Sequence, residues 1–156
     1  MTNQPSFVGE NAVSQQELRA LVSGLSDSDL AQDMGEGWTV AAMLVHVAFY
    51  DFRAAAAVDR WSHEDHIDPF PVDAQMTNIA TTPLLLAIPP RSAAQLALQA
   101  AEAADGRMAG LSAELAARIE ASERSVNLFR SEHRREHIDQ IKKALATAQH
   151  TAPAAG

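Results

Sequence analysis

Apolar residues recur at three- and four-residue intervals along most of this chain, and Pro, Gly and acidic clusters separate the segments that keep the pattern. That spacing puts side chains on one face of an α-helix. Leu18, Leu21, Val22 and Leu25 mark a first helix over about 12–25, opened by Ser14-Gln-Gln-Glu17 in the form of a capping box, with residues 1–10 as a loose leader. Ser26-Asp-Ser-Asp29 ends it and caps one further turn to Asp33, while Gly35 and Gly37 punctuate. Val40, Met43, Leu44, Val47, Tyr50, Ala54, Val58 and Trp61 give the buried face of a second helix, with Thr39 as its N-cap. Residues 62–90 are acidic and broken by proline, so they read as a long connection with two helical turns from Asp73 to Ala80 and a restart at Thr82-Pro83. Pro89-Pro90 followed by Ser92-Ala-Ala-Gln95 starts a third helix, whose stripe is Leu96, Ala100, Ala104, Met108 and Leu111. After a connection with one turn at Ser112–Ala116, a fourth helix runs from about Arg124 to Ala148, and residues 150–156 form a loose tail.

The fourth segment carries the most informative stripe. Phe129, His133, His137, Ile141 and Leu145 lie four apart on one face, while Arg134, Arg135, Asp139, Lys142 and Lys143 are expected on the outer faces. Two imidazoles one turn apart would then point inward. His46 stands between Met43 and Tyr50 on the second helix's apolar face, the one histidine elsewhere that falls on a helical core stripe. Four helices with a long crossover between the second and third make an all-α four-helix bundle.

Composition narrows this reading. At 156 residues the chain suits a single domain over 1–156. Its hydrophobic share is 47% but its aromatic share only 5%, an Ala- and Leu-rich balance that favours helix. A net charge of −8 argues against nucleic acid and anionic membrane as partners. No cysteine is present, which removes disulfides, thiolate ligands and a protein thiol nucleophile. The first 30 residues lack a basic start followed by an apolar run, so a cytoplasmic protein acting on a small molecule is expected.

Three core-facing histidines, His46, His133 and His137, are candidate metal ligands, since burying several neutral imidazoles without a partner is costly. The plain alternative for each is a hydrogen-bonded core histidine. His63 and His66 in the acidic loop and His150 near the end read as solvated side chains. His133-Arg-Arg-Glu136-His137 matches H-x-x-E-H, the inverted zinc-protease signature, but that class takes a third, acidic ligand far downstream, so a protease is rejected. Glu136, about 60° around the helix from His133, is a candidate general base, with a solvated glutamate as the alternative. Arg53, two turns beyond His46 on the same face, is a candidate clamp for an anionic substrate group, with a surface ion pair as the alternative. Trp38 and Trp61 read as residues sealing the ends of the second helix. No G-x-G-x-x-G, P-loop, G-x-S-x-G or EF-hand motif is present.

Gly37-Trp-Thr-Val-Ala-Ala-Met-Leu-Val-His46-Val-Ala-Phe-Tyr-Asp-Phe-Arg53 resembles the second-helix signature of the DinB/YfiT-like superfamily, and Phe129-Arg-Ser-Glu-His133-Arg-Arg-Glu-His137-Ile-Asp-Gln-Ile141 is similar to its H-x-x-x-H motif on the fourth helix. The resemblance covers nearly the whole chain. It implies an up-down-down-up bundle, often a homodimer, in which His46, His133 and His137 hold a divalent ion, commonly zinc or nickel. Related mycothiol-dependent maleylpyruvate isomerases carry Glu where this chain has His133, which sets the chain apart from that specific activity. Members with established activity are mostly transferases that use a low-molecular-weight thiol. A thiol-dependent S-transferase is therefore expected, with a small thiol as cosubstrate. A metal-dependent hydrolase and a non-catalytic, stress-linked binding or dimerising module are the alternatives.

Overall fold

The computed structural model describes residues 4–64, 66–68, 72–123 and 126–151. The described chain is mostly helical: α1 Ser6–Gly24, α2 Asp27–Leu30, α3 Val40–His63, α4 Ala74–Ala87, α5 Pro90–Ala109, α6 Ala113–Ala121 and α7 Arg130–Thr151. An antiparallel ribbon of β1 Asp33–Gly35 and β2 Trp38–Thr39 joins α2 to α3. The all-α class expected from the pattern holds. The long helices α1, α3, α5 and α7 contact one another, with α3 on α5, α1 on both α5 and α7, and α3 on α7.

The α3–α5 contact is built from small residues. Ala41, Ala48, Ala54 and Ala55 of α3 and Ala93, Ala97, Ala100, Ala101 and Ala104 of α5 are all buried, and alanine lets two helix axes approach closely. Leu96, expected in the α5 stripe, is only half-buried, because the alanine face took the contact instead. Two apolar clusters result, one around Leu18, Leu30, Leu44 and Ile141 and the other around Phe7, Trp61, Met108 and Ile119. α3 is long and apolar enough to cross a membrane, but 67% of its most apolar window is buried within the protein and it carries the fully buried Asp51, which marks it as a core helix.

Several boundaries differ from expectation for physical reasons. α1 starts at Ser6 because Phe7 is buried in the second cluster, so residues 6–10 are ordered helix; residues 1–3 lie outside the described chain. Ser14 is therefore mid-helix and caps nothing; its hydroxyl donates to Asn11 O at 2.9 Å. The true capping box is Ser26 with Asp29 at the start of α2. Thr39 does cap α3, accepting from Ala42 N–H at 3.1 Å. α4 continues through Pro83, which cannot donate to the carbonyl one turn back, and the hydroxyls of Thr81 and Thr82 take up the nearby carbonyls of Thr77 and Asn78. α5 begins at Pro90 as its first helical residue, not at Ser92. Ser112 caps a nine-residue helix rather than one turn. The expected start of the last helix at Arg124 lies outside the described residues; α7 begins at Arg130, where Asn11 of α1 accepts from Ser131 N–H at 2.9 Å and donates to Leu128 O at 2.8 Å. Of the tail, residues 150 and 151 belong to α7 and 152–156 lie outside the described chain.

The largest difference concerns which face of α7 is buried. The stripe Arg130, Arg134, Ile138 and Ile141 is buried, which makes Arg134 an interior residue with 0% exposure rather than an outer one. Asp51 of α3 accepts from Arg130 Nε at 2.8 Å through one oxygen and from Arg134 Nε at 2.7 Å through the other. Arg134 also donates to both oxygens of Asp105 on α5, at 2.8 and 3.0 Å, and to Ser14 Oγ and Asn11 O of α1, each at 3.2 Å. Two carboxylates and two guanidiniums thus cancel within the core, and each side chain's hydrogen bonds fix its position. Replacing Asp51 with Ala leaves the buried Arg134 half-paired, an effect expected to cost about 3–5 kcal/mol. Breaking the exposed Arg60–Glu64 pair, whose atoms are 3.0 Å apart, should cost only about 0.3–0.5 kcal/mol. Urea unfolding of the two variants beside the parent checks the contrast.

Candidate metal centre

The offset of α7 places the histidine stripe beside the ionic one, at the edge of the core facing α3. Ring centroids of His46 and His133 are 5.3 Å apart, those of His46 and His137 4.7 Å, and those of His133 and His137 4.5 Å. One ligand atom from each of the three lies within 4.8 Å of the other two. His46 and His137 are buried and His133 is half-buried. The pairwise match expected from the sequence, one imidazole from the second long helix meeting two from the last, is what the structure brings together.

The hydrogen bonds around the rings are satisfied by one arrangement of protons. His137 Nδ1 is 2.8 Å from Gln140 Oε1, which only accepts, so this nitrogen donates and Nε2 keeps its lone pair. His133 Nε2 is 3.1 Å from that lone pair and donates to it. His133 Nδ1 then accepts from Arg130 Nη2 at 3.4 Å. His46 sits between the edges of Trp38 and Tyr50, with centroids 5.4 and 5.0 Å away, and Tyr50 Oη donates to Asn78 Oδ1 at 3.2 Å.

Both shifted imidazoles are held neutral. Burial, reinforced by His137, lowers the His46 pKa to about 4. Burial lowers that of His133 to about 2, with His137, Arg130, His46 and Arg134 adding to the effect. Neutral imidazole is the form that binds a metal. A tetrahedral ion with metal–nitrogen bonds of ~2.0–2.1 Å holds its ligands about 3.3 Å apart, within the range of the separations seen here. The donor set therefore fits a divalent ion with positions left for other ligands.

A cavity of about 510 Å³ opens over the rings, lined in part by His46, His137, Trp38, Asn78, Gln140 and Lys143. His46 and His137 of the histidine group line it; its other walls come from the β-ribbon, from α4 and from α7. The turn Gly35-Glu36-Gly37 has φ of 92°, 54° and 82°, so glycine is needed on both sides of the one left-handed side chain, Glu36, that reaches the cavity. Arg53 is half-buried beside Tyr50 and Arg130; burial depresses its pKa, Tyr50 opposes this and Arg130 adds to it. Glu136 is exposed and is not one of the converging residues. His63 and His66 are exposed, with His63 about 25 Å along α3 from His46. Pattern reading missed Trp38 and Asn78 as walls of the cavity, and Gln140 and Arg130 as neighbours of the rings. Gln140, three residues after His137, and Arg130, three before His133, were within reach of a sequence rule, because i and i+3 side chains meet on a helix.

A family model described as the DinB superfamily matches residues 11–152. The chain belongs to the DinB superfamily. Comparison with curated proteins and with solved structures finds no match.

The depressed histidines set a pH dependence for the metal-free protein. Below the ordinary imidazole pKa of 6.5 the unfolded chain takes up a proton at position 46, while the folded chain resists until about pH 4. The stability is therefore fully present above pH 6.5, falls as the pH drops through that window, and levels off for His46 near pH 4. The urea midpoint should be lower at pH 5 than at pH 7.5, and His46→Gln should flatten that slope. An equal slope in the variant would contradict the assignment.

Proposed function

We propose that this protein is a metal-dependent enzyme that transfers a low-molecular-weight thiol to a small electrophile, with His46, His133 and His137 holding the ion. The observation that carries this reading is the convergence of three imidazoles, two of which, His46 and His137, line an open cavity. A purely structural site encloses its ion, whereas a three-ligand site with access to solvent leaves room for a reactant. The cavity volume of about 510 Å³ is the size of small-molecule pockets. Zinc or nickel suits an all-imidazole donor set.

A bound divalent ion supplies Lewis acidity, lowering the pKa of a thiol or water in contact with it and polarising an electrophile. The chain's own residues do the rest. Gln140 fixes the tautomer of His137, so that Nε2 faces the site. Trp38 and Met43 give the cavity an apolar wall that limits water, and Asn78 keeps its amide N–H₂ for a ligand, since Tyr50 donates to its oxygen. Lys143, on the α7 wall, offers a positive charge to an anionic group of the substrate. With no cysteine in the chain, the sulfur must arrive on a cosubstrate. Arg53 stands beside Tyr50 as a further contact for an anion, and Glu136 is the remaining base candidate on α7. The four long helices are read as a four-helix bundle, which their mutual contacts support.

Protein loaded with zinc or nickel should retain about one equivalent through desalting, and His46→Ala should lose it. The loaded protein should then consume a thiol in the presence of an electrophilic acceptor, followed by mass spectrometry of the conjugate. Turnover without any thiol would replace transfer by hydrolysis, and absence of retained metal would end both readings.

A further inference from the structure

The second nitrogens of the two α7 histidines face opposite kinds of partner. In most protein metal sites the ligating histidine donates its other N–H to a carboxylate, carbonyl or amide oxygen, which orients the ring and strengthens it as a donor. His137 follows that rule through Gln140 Oε1 at 2.8 Å. His133 does the reverse, because its Nδ1 faces Arg130 Nη2 at 3.4 Å and a guanidinium has no acceptor.

This has a direct consequence for His133 as a ligand. For Nε2 to offer its lone pair to an ion, the neutral ring carries its proton on Nδ1, and that N–H then meets an arginine N–H head-on. The guanidinium is not free to withdraw: Arg130 Nε is held by Asp51 Oδ1 at 2.8 Å, and the other oxygen of Asp51 is held by the buried Arg134 at 2.7 Å. The Arg130 charge also opposes a divalent cation nearby.

The geometry points to Arg130 as a positioning residue that makes His133 the weak, exchangeable ligand of a centre held mainly by His46 and His137. The inference rests on the metal reading above. An exchangeable ligand provides a coordination position that an incoming substrate atom takes without the ion leaving the protein. The Asp51–Arg130 pair thus reaches the site from the core and sets how tightly one of its three ligands binds.

The test is zinc affinity by competition with a chromophoric chelator, measured on the full chain carrying Arg130→Gln, Arg130→Lys, or Ala at position 46, 133 or 137. Gln can turn its carbonyl oxygen toward Nδ1 and restore the usual polarity, so Arg130→Gln should bind zinc about 10-fold tighter, within the range that such outer partners control. Arg130→Lys keeps a cationic donor and should stay near the parent. His133→Ala should lose far less affinity than His46→Ala or His137→Ala. Cobalt absorption spectra should show the parent's coordination changing in Arg130→Gln and not in Arg130→Lys. A supporting residue with no effect on ligand strength would give a weaker Arg130→Gln, and that result, or equal losses for the three alanine variants, overturns the inference while leaving the metal reading intact. Should Arg130→Gln fail to fold, the ranking of the alanine variants decides. Zinc binding absent from every protein, the parent included, removes the metal reading and this inference with it.

Discussion

The carboxylate of Asp51, shared between Arg130 and Arg134, fixes how the last helix sits on the rest of the molecule. A charge buried without partners costs several kcal/mol, so α7 has few rotational settings in which both guanidiniums and both carboxylates are satisfied. Apolar packing alone would constrain α7 weakly, because few of its side chains are large hydrophobes. Ile138 and Ile141 anchor its second half, while its first half is held by ionic contacts and by the Asn11 hydrogen bonds.

That constraint is also what makes the site. His133 and His137 stand on the stripe next to the ionic one, so whatever fixes the arginines fixes the imidazoles against His46. The tight alanine contact between α3 and α5 does the same from the other side, holding α3 in place. The three rings meet where α3 and α7 approach at the edge of the core, beside a cavity walled in part by the ribbon turn and α4. Burial then keeps the rings of His46 and His133 neutral, with the neighbouring arginines adding to the effect at His133. The ionic cluster thus both orients the α7 ligands and helps keep His133 in the form a metal requires.

Much of this was legible in the order of residues. Helical spacing located most of the long helices, Thr39 marked the start of α3, and His46, His133 and His137 stood out because imidazoles on apolar stripes need partners. Those readings depend on contacts within a few residues, which the sequence states directly. Other signals were present and misled. Ser14-x-x-Glu17 has the form of a cap, yet Phe7 found a buried place and carried the helix past it. Thr82-Pro83 has the form of a helix start, yet α4 runs through the proline.

What the sequence could not determine by itself was the identity of the partners across helices. Arg134 looked like a surface residue because arginine is seldom buried, and only a chain that brings Asp51, Asp105, Ser14 and Asn11 around one guanidinium makes its burial stable. Those residues come from three segments widely separated along the chain, and no local rule links the segments. Periodicity determined that the helices form and which histidines turn inward. The tertiary structure decided the rotation of α7, the cavity over the rings and the arginine behind His133, because each depends on satisfying charges brought together from distant segments.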